Sequence, residues 1–387
     1  MKFNFDEVIE RRGTSSLKYD FPSRCGRPTD ALPLWIADMD FQIPPPVTEV
    51  LQKNVSHAIY GYTESNAEYF AAVQNWFATQ HNFHIQEDWV VKTPGIMFAL
   101  AMAIKAFTQP GDAILIQKPL YYPIEGAIRD NRRAVIDNTL VYENGRYTVN
   151  MADFEQKIKQ NNVRIFVLCN PHNPVGRVWT RDELGEMACI CKKYNCLVVS
   201  DEVHCDLLFG NRKHIVFTEF DESAIILTSP SKTFNLAGLQ ISNAFIPNAK
   251  HRELFKHEIA AAGYSQLNGM GIIACAAAYN HGHEWLAALL DYLSENAAYV
   301  KNFLAEKMPS VRAIDLEGTY LMWLDFNELG LSQEVLQEKF DSAKVWLSSG
   351  TAFGETGRGF WRINIACPRA TLKIAMERLE NALVKPY

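Results

Sequence analysis

The stretch "ILTSPSKTFNLAGLQ", residues 226–240, decides how this chain is read. Its first residues close an apolar run, Ala224-Ile225-Ile226-Leu227, of the kind that forms a buried strand. Thr228, Ser229, Pro230 and Ser231 follow, and then Lys232. A lysine in a loop is ordinarily solvated. At the mouth of a buried strand it has a second use. A site that lowers its pKa turns the amine into a nucleophile able to form a Schiff base. Its own neighbours do not separate the two readings; the ends of the other strands do.

Working outward, short apolar runs recur: "WVVKT" (89–93), "AILIQ" (113–117), "VRIFVLC" (163–169), "CLVVS" (196–200), "AIILT" (224–228) and "ISNAFI" (241–246). Helix-length segments lie between several of them, at 97–108, 123–132 and 181–194. The last is preceded by Thr180 with Glu183 three residues on, the spacing of a capping box. Buried runs alternating with helices predict an α/β fold, with a mostly parallel central sheet in a large domain sandwiched by helices.

Residues 28–48 are rich in proline and read as an extended arm. After Gly263 the pattern changes to alanine- and leucine-rich helices (269–307), followed by mixed strand and helix patterns that suggest a smaller α+β domain. The expected division is an arm at 1–46 that joins the small domain, a large domain at 47–285 and a small domain at 286–387. A helix around 285–307 is expected to bridge the lobes. At 387 residues the chain exceeds one ordinary core.

Composition excludes several classes. A formal net charge of -6 offers no footprint for nucleic acid. No apolar run approaches the roughly 20 residues that cross a bilayer. "MKFNFDEVIERRG" has no signal-peptide core, and the eight cysteines are scattered without a C-x-x-C pair, so a cytoplasmic location with reduced thiols is expected. "HGHE" (281–284) lacks the histidine spacing of a zinc helix, and no metal is expected.

In an open α/β sheet, ligands sit beyond the carboxyl ends of the strands. Those ends carry Gly95 with Ile96 and Met97 at a helix start, the pair Tyr121-Tyr122, "NPHNPVG" (170–176), Asp201-Glu202, and Ser229 to Lys232. Free N–H groups at a helix start bind phosphate. An aromatic face covers a planar ring. A carboxylate keeps a pyridine nitrogen protonated, and a lysine captures an aldehyde. The set suits a flat, phosphorylated, aldehyde-bearing ring.

The fragments "LPLWIADMDF" (32–41), "YGYTES" (60–65), "TPGIM" (93–97), "KPLYYPI" (118–124), "CNPHNPVGRVW" (169–179), "SDEVHCDL" (200–207), "SPSKTFNLAGLQ" (229–240) and "WRINIACPR" (361–369) stand in an order that spans nearly the whole chain. In that order the chain resembles a fold-type I pyridoxal-phosphate enzyme of the class I/II aminotransferase superfamily. Within it, the chain resembles the cystathionine β-lyase (C–S lyase) branch, the MalY/PatB type. The resemblance implies α,β-elimination from cystathionine, cysteine and related S-substituted cysteines, giving pyruvate, ammonia and a thiol. The alternatives on the same fold are an aminotransferase and a regulatory partner protein.

The resemblance also implies roles. Lys232 is similar to the Schiff-base lysine and base. Asp201 matches the carboxylate at the ring nitrogen, Asn173 the donor to the ring oxygen and Tyr121 the stacked aromatic. Gly95, Ile96 and Met97 match the backbone phosphate site. Ser229 is expected to donate to the phosphate, with Ser231 secondary. Tyr62 matches a tyrosine that reaches the phosphate of the neighbouring subunit, which implies a homodimer with shared active sites. Arg362 matches the anchor of the substrate carboxylate, aided by Asn173 and by the backbone at Ala37 and Asp38. Lys232 and the Tyr121 hydroxyl are the candidate acids for the departing thiolate. Two positions depart from the aminotransferase pattern: His204 replaces a tyrosine at the ring oxygen, and Gln240 replaces a phosphate-binding arginine.

Overall fold

The computed structural model describes residues 3–384. Seven strands form the central sheet: β1 Val90–Thr93, β2 Ala113–Ile116, β3 Ala134–Asp137, β4 Ile165–Cys169, β5 Leu197–Asp201, β6 Ile225–Thr228 and β7 Ser242–Phe245. Their spatial order is β1-β7-β6-β5-β4-β2-β3. From β6 to β3 each neighbouring pair is parallel. β7 runs antiparallel to both of its neighbours.

The apolar runs are continuous because both faces of the sheet are covered. In β4, Ile165, Val167 and Cys169 enter one core while Phe166 and Leu168 enter the other. Side chains alternate across a strand, so a strand covered on both faces needs apolar residues at every position. One face is covered by the helix Ile96–Phe107 and the opposite face by the helix Arg181–Lys193, whose buried residues belong to the two different cores. The second of these helices opens on the Thr180–Glu183 capping box, with both reciprocal bonds present.

A second sheet, β8 Arg312–Ala313, β9 Leu321–Asp325, β10 Ser348–Ser349 and β11 Phe360–Asn364, is antiparallel throughout, in the order β8-β9-β11-β10. The N-terminal arm joins this end of the molecule: Leu32–Pro33 pairs in parallel with Val345–Trp346. The helix His283–Lys307 runs unbroken past residue 285, where the sequence places the domain division. Sequence reading missed the edge strand β3 and the hairpin of Val141–Glu143 with Arg146–Thr148. Their residues are mostly half-buried or exposed, so no apolar run marks them.

All eight cysteines are free, and six of them are buried. Among the described residues no helix is long and apolar enough to cross a membrane.

Candidate active site

The carboxyl ends of β1, β2, β4, β5 and β6 converge with the arm and with β11. Beyond β1, Gly95 caps the helix Ile96–Phe107, one residue earlier than the sequence suggests. No side chain caps this helix, so the N–H groups of its first turn lack a side-chain acceptor. A Cβ added to Gly95 would meet no atom within 4 Å. Open space in front of uncapped N–H groups is the form of a phosphate cradle.

Beyond β2, Tyr121 caps the helix Tyr122–Asp130. Its backbone N–H donates to the Asn173 carbonyl at 3.1 Å, which ties it to the loop after β4. Burial first, and then neighbouring Tyr122, raise the Tyr121 hydroxyl above the usual tyrosine range, with Arg362 opposing. The phenol therefore keeps its proton at neutral pH. The Asn173 side-chain oxygen accepts from Arg362 Nη1 at 2.8 Å. Asn170 acts structurally, its side-chain oxygen accepting from the Trp179 N–H at 3.3 Å.

Asp201 ends β5 and is buried. Burial pushes its carboxyl up to about 6, opposed by the Val203 N–H and by Lys232. A buried carboxylate with one backbone donor is a costly anion. A protonated ring nitrogen at that point would satisfy it. The next residue, Glu202, stiffens the strand end: its carboxylate accepts from Ser200 Oγ, the Phe217 N–H and His214 Nε2, at 2.8, 3.0 and 2.7 Å.

Lys232 lies in the one-turn helix Pro230–Thr233 beyond β6. Its amine donates to the Ala37 carbonyl at 2.6 Å, and the Tyr320 hydroxyl donates to the same carbonyl at 2.9 Å. Burial pushes the Lys232 amine down to about 8; Asp38 and Asp201 oppose this and Arg362 adds to it. Ser229 Oγ donates to the Ile241 carbonyl at 2.6 Å and accepts from the Ser231 N–H. With that proton committed, the 2.5 Å contact between the two hydroxyls makes Ser231 Oγ the donor to Ser229 Oγ, so both serines are engaged within the loop, Ser231 being the more exposed.

Arg362 is buried in β11. Besides Asn173 it reaches the Trp35 carbonyl at 2.8 Å and Ser348 Oγ at 3.3 Å, and its guanidinium lies 4.7 Å over the Phe353 ring. Burial lowers it to about 10, so it stays cationic at neutral pH. Asp38 turns its carboxylate to Arg11 at 2.8 Å, away from a substrate-binding role for the side chain. His204 is buried edge-on to Tyr320, with ring centroids 5.9 Å apart. Its Nδ1 is buried without a partner. Burial, Lys232 and Arg362 hold it well below the usual imidazole range, so it is neutral.

Tyr62 lies apart from this cluster, 96% exposed on the rim of a surface cleft that also includes Tyr60, Tyr264 and Leu267. Gln240 is also exposed. Sequence reading did not find Tyr320 or Trp35. Tyr320 precedes a strand and reads as core, and Trp35 acts through its backbone carbonyl, for which no side-chain signal exists.

A lysine of lowered pKa, a buried carboxylate, an uncapped helix start and an arginine in one cleft fit the phosphorylated pyridine that the resemblance implies. The comparisons agree on the class. The model for "Aminotransferase class I and II" matches residues 29–379, and the chain belongs to that family. Cystathionine beta-lyase PatB of Bacillus subtilis (strain 168) is 38% identical over 98% of this chain and 100% of that protein. Cystalysin from Treponema denticola, whose structure contains a pyridoxal 5′-phosphate cofactor, has a TM-score of 0.95 at 35% identity, over 99% of both chains. The PLP-bound C–S lyase from Staphylococcus hominis has a TM-score of 0.93 at 30% identity, over 100% of this chain and 99% of that one.

Proposed function

We propose that this protein is a pyridoxal-phosphate-dependent C–S β-lyase that cleaves cystathionine, cysteine and related S-substituted cysteines to pyruvate, ammonia and a thiol. The observation that carries the reading is the Lys232 amine, held low in pKa in one cleft with buried Asp201 and Arg362. It stands in a chain similar over its full length to a named cystathionine beta-lyase.

Uncapped N–H groups at Ile96 and Met97, with Ser229 and Ser231, would hold the phosphate; Asp201 would face the ring nitrogen, Asn173 the ring oxygen and Tyr121 the ring face. When bound, the cofactor supplies an electron sink for the pair left at Cα. Arg362 receives the substrate carboxylate as a planar fork on a planar anion. Lys232, neutral in a large fraction of molecules near pH 8, takes the proton from Cα. The departing sulfur needs a proton. The Tyr121 hydroxyl, kept protonated by burial, and the lysine that has just received one are the two donors at hand.

The reading places the protein in the cytoplasm as a homodimer. Tyr62 would serve the neighbouring subunit, since a side chain so exposed has little to do within its own chain. The division at 1–46, 47–285 and 286–387 is proposed as the unit structure. The competing reading is transamination, which the family description favours and which also begins with loss of the Cα proton. Incubating the loaded protein with a panel of S-substituted cysteines, without any 2-oxo acid, tests the proposal. Thiol release across the panel supports it, and thiol release from none overturns it.

A further inference from the structure

A second polar cluster lies beneath the site and touches no cofactor position. Asp206 follows the β5 end by five residues and is buried. Its Oδ1 accepts from Trp76 Nε1 at 3.0 Å and from His81 Nε2 at 2.7 Å. Its Oδ2 accepts from Thr233 Oγ1 at 2.6 Å. Trp76 and His81 sit on the helix Ala67–His81, while Thr233 is the residue next to Lys232. Burial pulls the Asp206 carboxyl up, but the three donors, His81 foremost, outweigh it and hold the group below its usual range.

His81, Cys205 and Asp206 place their ligand atoms within 4.8 Å of one another, a spacing that could suit a metal. Both carboxylate oxygens are already engaged by three protein donors, and the His81 ring is turned to the carboxylate. The cluster is explained without an ion.

Its consequence concerns the lysine. The helix Pro230–Thr233 is one turn long, and an isolated turn has no stability of its own. Side chains must hold it. Ser229 fixes its start, accepting from the Ser231 N–H and donating to Ile241. Thr233, fully buried, fixes its end on Asp206. Lys232 stands between the two tethers with its amine on the Ala37 carbonyl. We propose that Asp206 is a positioning residue, which through Thr233 sets where the Lys232 amine meets the substrate Cα. The inference rests on the reading of Lys232 as the base. Proton transfer depends steeply on such placement, with a shift of about 1 Å able to cost on the order of a hundredfold.

The test reads proton abstraction apart from C–S cleavage. L-Alanine has no leaving group at Cβ, so exchange of its Cα hydrogen with deuterated water, followed by NMR, reports the base alone. In the holoenzyme, Thr233→Val should slow this exchange at least tenfold. Thr233→Ser, which keeps the hydroxyl, should stay within twofold of wild type. The visible absorption of the lysine-linked cofactor should persist in both. In C–S cleavage, Thr233→Val should lower kcat and change KM less than twofold. Thr233→Ala removes the same hydroxyl should the valine variant not fold.

Trp76→Phe removes another donor to the same carboxylate while keeping an aromatic ring against Phe234, which ends the lysine turn. It should lower the melting temperature and leave exchange within twofold. Wild-type exchange in Thr233→Val or Thr233→Ala overturns the proposal. So does equal slowing in Thr233→Ser or Trp76→Phe. Exchange that survives Lys232→Ala would instead overturn the reading of the lysine, and the proposal with it.

Discussion

Arg362 and Asn173 meet between the two sheets: the guanidinium Nη1 donates to the asparagine side-chain oxygen at 2.8 Å. The bond joins the residue read as the carboxylate anchor to the one read as the ring-oxygen donor. It also uses one prong of the fork, and the other, Nη2, reaches both the Trp35 carbonyl and Ser348 Oγ. A lysine is a point charge and cannot keep all three directions. Arg362→Lys is therefore expected to raise KM for the amino-acid substrate about tenfold or more, with a smaller change in kcat and an unaltered cofactor spectrum. Initial-rate kinetics check this. An unchanged KM would remove Arg362 from the substrate site.

The Lys232 amine sets a pH signature. Only the neutral amine attacks an aldehyde, and burial lowers this amine from the ordinary 10.5 to about 8. Capture of pyridoxal 5′-phosphate by the cofactor-free protein should quicken about tenfold per pH unit below that value and level off above about pH 9. Stopped-flow absorbance measures the profile. A rate still climbing steeply at about pH 10 would mean an unperturbed lysine.

Asp201 makes the opposite kind of forecast, since what serves the cofactor burdens the empty protein. Its folded-state pKa is raised from 3.8 to about 6. Between those values the folded state binds more protons than the unfolded one, so this group's stabilising contribution is present at low pH and is lost as pH rises through about 6. The loss is on the order of 2–3 kcal/mol. Asp201→Asn should then melt at or above wild type at pH 8 without cofactor, while binding the cofactor at least tenfold more weakly. Calorimetry of the cofactor-free proteins and a binding titration test the two halves. A variant less stable than wild type at pH 8, with full cofactor affinity, would contradict both.

Tyr62 tests the shared site. It is 96% exposed in the single chain. Tyr62→Ala should leave the sedimentation of a dimer unchanged and speed cofactor loss on dilution or dialysis. Wild-type retention in a confirmed dimer would leave Tyr62 without a role at the phosphate.

The parts of this molecule that announced themselves in sequence share a physical cause. β4 and β6 are buried on both faces, so their apolar runs are uninterrupted, and the chemistry sits where each run stops, at Asn173 and Lys232. The Thr180–Glu183 cap was legible because both of its partners are local. What stayed hidden was made by distant chain segments or by backbone. The Ala37 carbonyl that holds Lys232 belongs to the arm, 195 residues away. Asp206 lies within a quoted fragment, yet its partners His81 and Thr233 come from two other helices. The Ile241 carbonyl that accepts from Ser229 is likewise brought near only by the fold.

The central claim is that the bond broken after Cα proton loss is the Cβ–S bond. One measurement addresses it directly: homocysteine, pyruvate and ammonia counted together during many turnovers of L-cystathionine, with no 2-oxo acid present. The account predicts the three products in equal amounts, each far exceeding the enzyme. Absence of homocysteine, with turnover appearing only when a 2-oxo acid is added, would contradict it and make the protein an aminotransferase.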